Sequence, residues 1–224
     1  IVISFLFLIT GLSSAQTVNK ISVHEAKKDI NDLFSIIEAV HYNPFHRIGK
    51  YTILEKKDSL FYNWNIDSIS YREFTKVGMI ITSLMSNGHT SFDWQNPLLY
   101  PELISSLYLP LKVRLVRNEL EVIASNSKLI KVGDIVTSIN NQNAVALFRN
   151  IMSLTGGINS FKEAVSEKYF PLYLFFFVKE DAGFNIITKS GKEEFVKGIS
   201  AQEVLEFVQS DINRENYTFE IIQG

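Results

Sequence analysis

The chain has 224 residues, 46% of them hydrophobic, which is enough to bury one or two cores. Its formal net charge is -2, and nothing in it suggests a nucleic-acid partner, which would usually demand a basic face. It has no cysteine, which excludes disulfides, Cys-based zinc sites and a thiol nucleophile. From the start, Ile1 to Leu12 is almost wholly apolar and is followed by Ser13-Ser14-Ala15-Gln16. Small residues at Ser13 and Ala15 fit the rule for signal-peptide cleavage, so residues 1–15 are expected to be a signal peptide. The mature protein is then exported, periplasmic or extracellular. The apolar run is too short to span a bilayer, which takes roughly 20 residues, and no membrane span is expected in the mature chain. The alternative is a buried N-terminal strand or helix. The first residue is Ile1 rather than Met, and the basic flank of a signal peptide is missing, so a few leading residues are expected to be lost.

Four segments open with Ser-x-x-Glu, at Ser22, Ser70, Ser160 and Ser200. In this pattern the Ser and Glu side chains satisfy backbone N–H groups that a first helical turn leaves unpaired. The first helix places Ala26, Ile30, Leu33, Ile37 and Val40 on one stripe and stops before Pro44, because proline disfavours helix in the residue preceding it. A second helix covers Lys50 to about Asn63, with Tyr51, Leu54 and Phe61 inward. The third carries Phe74, Val77, Ile81, Leu84 and Met85 and ends at Asn87-Gly88. These make a helical domain over residues 16–100.

The pattern changes after Pro97 and Pro101. Leu109 to Val116 and Leu120 to Ala124 read as short strands around the turn Arg117-Asn118-Glu119. Gly133-Asp134-Ile135-Val136-Thr137-Ser138-Ile139-Asn140 follows, with Ile135 and Ile139 directed into the core of a small barrel. A helix is expected from Ala144 to Leu154, then a Gly156-Gly157 break, then a helix from Ser160 to about Val178 bent or split at Pro171. Phe184 to Thr188 and Glu193 to Val196 form a hairpin around Ser190-Gly191. Ser200 caps a last helix, and Tyr217 starts a new strand. The aromatic run Tyr169, Phe170, Tyr173, Phe175, Phe176 and Phe177 is expected in the core, with a surface facing another domain as the alternative.

The Gly133-to-Asn140 stretch resembles the signature of PDZ domains, usually Gly-Asp-x-Ile-x-x-Ile-Asn-Gly. An apolar leader, helices, Asn87-Gly88-His89-Thr90, this module and a final strand follow one another in an order similar to that of tail-specific, or C-terminal processing, serine peptidases of the tricorn-core kind. His41-Tyr42-Asn43-Pro44-Phe45 and Leu109-Pro110-Leu111 are similar to that family too. The family usually has Asp where Asn87 stands. Its PDZ carboxylate-binding loop, due near Ser105 to Leu111, is not recognisable. No serine here sits in a context like the family's nucleophile.

The resemblance implies an α+β protein: a helical domain over 16–100, a PDZ-like domain over 107–178, and a hairpin and helix over 179–224 leading into a catalytic domain that is missing. It implies the N-terminal, substrate-recognition portion of an exported serine peptidase acting on unfolded or C-terminally tagged polypeptides. In tricorn-like members a histidine in the turn matching His89 is the general base; Ser/Lys members use a lysine in the catalytic domain instead. His89 could equally be a structural residue at a helix end. The rival class is a non-catalytic exported module that adds a peptide to the strand Leu111, Lys112, Val113, Arg114, Leu115 and Val116. The partners implied are a polypeptide and the protein's own catalytic domain, with no nucleic acid and no cofactor. His41 and His46 flank Pro44 without a third ligand at a matching spacing, so no metal site is expected.

Overall fold

A computed structural model describes residues 20–85, 91–94, 96–178 and 182–210, and shows an α+β protein with helices first and an antiparallel sheet after them. Strand β1 (Lys20–Ser22) leads into helix α1 (Val23–Val40). The Ser22 hydroxyl accepts the Glu25 backbone N–H at 3.1 Å, which satisfies a donor that the first turn cannot. The buried stripe of α1 is Ala26, Ile30, Phe34 and Ile37, and Val40, expected on it, is exposed in the last turn. Helix α2 (Lys50–Tyr62) buries Ile53 and Phe61. Tyr51, expected inward, is exposed: residues two apart stand about 200° apart around a helix, so a core-facing Ile53 turns Tyr51 to solvent. Strand β2 (Ser68–Ser70) pairs antiparallel with β1 and starts helix α3 (Tyr71–Leu84), whose cap is the Ser70 hydroxyl on the Glu73 N–H.

Helix α3 is buried on two faces. Phe74, Val77, Ile81 and Met85 join α1 and α2 in one core. Met79 and Ile80 face a second core built on the sheet. Helix α4 (Tyr100–Ser105), which starts with Pro101 in its first turn, lies against the same sheet core through Leu103.

Strands β3 (Leu111–Val116) and β4 (Glu119–Ser125) form a hairpin. Arg117 and Asn118 both have positive φ, the two-residue turn whose twist matches that of the strands. The Gly133-Asp134 turn before β5 (Ile135–Ile139) is closed as expected: Gly133 has φ +89, and the Asp134 carboxylate accepts the Lys131 N–H at 2.8 Å. Asn140 and Asn141 supply the left-handed turn into β6 (Gln142–Asn143). Helices α5 (Ala144–Met152) and α6 (Asn159–Leu174) come next. Within α6, Tyr169 leaves helical geometry two residues before Pro171, where the missing N–H breaks the ladder. Strands β7 (Gly183–Thr188) and β8 (Glu193–Lys197) and helix α7 (Ala201–Gln209) complete the described chain.

The sheet order is β3-β4-β5-β7-β8, with β6 beside β5 and every pairing antiparallel. Its two ends meet where Tyr108 and Ile199 exchange N–H to C=O bonds of 2.9 Å each. That bridge closes the sheet toward a small barrel around Leu111, Val113, Leu120, Val122, Val136 and Ile139. The aromatic run fills the space beside it, with Phe170, Tyr173, Phe175 and Phe176 all buried.

Three further expectations are corrected. Ser160 is not a cap: α6 starts at Asn159, and its N-cap, Ile158, has no side-chain bond to offer. Ile135 is half-buried, whereas Val136 and Ile139 are the inward pair, because the register shift between Val136 and Ser138 leaves Thr137 as an extra residue and flips the alternation. The hairpin of residues 183–197, expected as a connector apart from the 107–178 module, pairs with β5 inside the same sheet.

The caps give a comparative prediction. Ser200 holds a full capping box, with its hydroxyl on the Glu203 N–H and the Glu203 carboxylate on the Ser200 N–H. Ser200→Ala is expected to cost about 1 kcal/mol in urea unfolding, and Ser160→Ala less than about 0.5 kcal/mol.

Candidate functional site

His89 and its neighbours Asn87, Gly88 and Thr90 lie outside the described residues, and the two flanks of that turn are what the structure fixes. On one side Ser83 Oγ stands 2.7 Å from Ile80 O and 2.6 Å from Ser153 O, tying the last turn of α3 to the end of α5. On the other, the Phe92 ring lies flush on α3 at Gly78, where an added Cβ would come within 2.7 Å of it. Phe92 also meets Phe74 edge-on at 5.7 Å, and Trp94 meets Tyr173 edge-on at 6.2 Å. The described residues on either side, Ser83 and Phe92, are therefore held by packed groups, and Gly78 is required by the close approach of a ring.

A cavity of about 320 Å³ opens beside residues 91–94. The rings of Phe92, Trp94, Phe161 and Tyr173 wall it, and Asp93 and Thr155 are among its polar members. Burial raises the Tyr173 hydroxyl above its ordinary pKa, and the nearby Thr155 hydroxyl works against that rise. The volume suits one side chain of a polypeptide and sits at the low end for a small-molecule site.

The six residues of β3 divide sharply. Leu111, Lys112 and Val113 are buried, Arg114 is exposed, and Leu115 and Val116 are half-buried. Lys112 crosses to the end of α7: its Nζ donates to Ser210 O at 2.8 Å and Val208 O at 3.4 Å and lies over the Phe207 ring at 5.0 Å. It thus caps carbonyls that the helix leaves unpaired and complements the negative end of the helix. Arg114 faces Glu121 across the hairpin at 3.4 Å.

The register of the hairpin decides where the backbone of β3 points. Val116 and Glu119 flank the two-residue turn and form its closing bonded pair. Alternation makes Arg114 and Glu121 the next bonded pair and leaves the Leu115 N–H directed away from β4. That N–H donates to the Glu167 carboxylate of α6 at 3.1 Å. Burial raises the Glu167 pKa above the usual carboxylate range, the bond from Leu115 pulls it down, Glu163 raises it and Arg114 lowers it. Sequence reasoning passed over Glu167, since nothing in its spacing ties it to β3.

The stretch Ser105 to Leu111, where the resemblance puts a carboxylate-binding loop, is the last turn of α4 followed by the buried segment Tyr108-Leu109-Pro110. The Tyr108 N–H is committed to Ile199. The Tyr108 hydroxyl donates to Leu103 O at 2.7 Å, and burial pushes its pKa up, so it remains a donor. His46 Nδ1 lies 3.0 Å from Asn43 O in the loop between α1 and α2. Among the described residues no three His, Asp or Glu side chains stand together in a way that could hold a metal ion, and no helix is long and apolar enough to cross a membrane.

No family model and no curated protein matches the chain. A similar solved structure is the crystal structure of a mutant of CPAF, with a TM-score of 0.48 at 14% identity. The match covers 80% of this chain and 34% of that one, so the chain spans about a third of that protein's length. At that level of likeness the functional reading rests on the residues themselves.

Proposed function

We propose that the chain is the N-terminal, substrate-recognition portion of an exported serine peptidase, with His89 as the general base and a PDZ-like module that starts near residue 107 and takes in the hairpin of residues 183–197. The observation that carries this reading is the order of parts: helix α3 ending at Leu84, the Asn87-Gly88-His89-Thr90 stretch following it in the sequence, then a hairpin, a Gly133-Asp134 turn, a strand and the Asn140-Asn141 turn. A neutral imidazole has the proton affinity to activate a serine hydroxyl at neutral pH. In this reading the serine and the oxyanion hole come from the catalytic domain outside residues 1–224. The substrate is a polypeptide, and no cofactor takes part. The chain by itself is expected to leave unfolded casein intact, and the full-length protein to cleave it, when digestion is followed by gel electrophoresis. Cleavage by the purified chain would overturn the assignment.

A second reading, a non-catalytic exported module that binds peptides, is favoured by one feature. β3 stands at the end of the sheet and turns the Leu115 N–H outward. Both readings share recognition of an extended polypeptide at β3. The buried Tyr108-Leu109-Pro110 segment argues for internal stretches of chain rather than free C-termini as the ligand.

A further inference from the structure

Among the described residues, no strand pairs with the outer side of β3 beyond the bridge at Tyr108, and Glu167 of α6 reaches it instead. The Leu115 N–H, the group that would bond a carbonyl of an added strand, is taken by Glu167. A carboxylate is a stronger acceptor for a backbone N–H than a peptide carbonyl, so the contact competes directly with an incoming chain. We infer that Glu167 is an internal occupant of the β3 edge, and that an extended segment binds there only by displacing it. The inference rests on the peptide-recognition reading above and adds its regulation.

Three observations make the contact a displaceable latch. Glu167 is half-buried, so its carboxylate can swing into water rather than be stranded in the core. Burial disfavours its charge and its neighbour Glu163 repels it, which offsets the hold of the Leu115 N–H and of Arg114 on the carboxylate. Nothing in β3 itself has to move, because Arg114 and Val116 bond to β4 and the Leu115 N–H already points outward. The chain that replaces Glu167 contributes a main-chain carbonyl to Leu115 and continues as a further antiparallel or parallel strand. A free C-terminal carboxylate is a poor replacement at this point, because it would stand beside Glu163 and Glu167 with like charge.

The test compares the chain with its Glu167→Ala and Glu167→Gln variants. Amide hydrogen exchange at Leu115 is read by NMR, with Arg114 and Val116 as internal controls. Binding of fluorescein-labelled β-casein, a natively unfolded chain, is read by anisotropy. Glu167→Ala is expected to speed Leu115 exchange by about tenfold or more while the controls stay protected, and to bind casein about tenfold tighter. Glu167→Gln retains an acceptor oxygen and is expected to keep Leu115 protected. Unchanged Leu115 exchange in Glu167→Ala would overturn the latch. If the parent chain binds casein and Glu167→Ala binds it no tighter, recognition stands and the latch alone is overturned. If Leu115 is deprotected but neither protein binds casein, the peptide-recognition reading fails, and the regulation built on it falls too.

Discussion

Replacing His89 by alanine in the full-length protein is expected to lower peptidase turnover by about 10²–10⁴-fold, the usual worth of general acid–base catalysis. On the proposed mechanism the imidazole takes the proton from the serine hydroxyl as the peptide carbonyl is attacked, then returns it to the leaving amine. Thermal stability should be almost unchanged, because the described residues that flank His89 in the sequence are held by other groups. Ser83 ties α3 to Ser153, and Phe92 packs on Gly78 and Phe74. Initial rates on unfolded casein and a thermal melt separate the two effects. Equal turnover in the two proteins would assign the base to a lysine elsewhere in the full-length protein and leave His89 as a helix-end residue.

The largest stability effect is expected at Phe170. It is fully buried, stacks on Phe148 at 6.1 Å, and joins α6 to α5 beside the barrel. Phe170→Ala removes a whole ring from a core that cannot fully collapse around the void, and is expected to cost about 3–5 kcal/mol. Domains of this kind hold about 5–15 kcal/mol in total, so the variant keeps only a fraction of its stability. The guanidinium midpoint should fall while the slope of the transition is kept. Phe148→Ala should cost a similar amount, and the double variant less than the sum, since the second ring then loses a partner already gone.

Much of the fold could be read from local chemistry. Ser22, Ser70 and Ser200 start helices because a hydroxyl can satisfy a first-turn N–H, and this depends on four residues alone. The Gly133-Asp134 turn was legible for the same reason, since it needs a residue that tolerates a left-handed backbone and one that closes it with a side chain. What failed depends on distant partners. Strands β1 and β2 are three residues each and exist through pairing across the 45 residues that separate them, which no local pattern announces. The second buried face of α3 was invisible because it needs the sheet to be present. The bulge at Thr137 reversed the facing of Ile135 and Val136, a shift that only the partner strand reveals.

The candidate site was read in the same way and with the same limit. Residues 111–116 were picked as a strand and are one, yet their roles are set by elements far away in sequence. Lys112 is consumed as a cap for α7, and the Leu115 N–H is consumed by Glu167 from α6. Sequence alone treats both as parts of an open edge. Charge and spacing carry no sign that a lysine in a strand is buried against a helix end 96 residues on.

The central claim is that His89 serves a serine nucleophile that lies outside residues 1–224. The most direct measurement is labelling of the full-length protein with a fluorophosphonate, which reacts with activated serines, followed by peptide mapping. The account predicts one labelled serine beyond residue 224, with labelling lost in the His89→Ala variant. No labelling, a labelled serine within residues 1–224, or labelling that survives His89→Ala would contradict it.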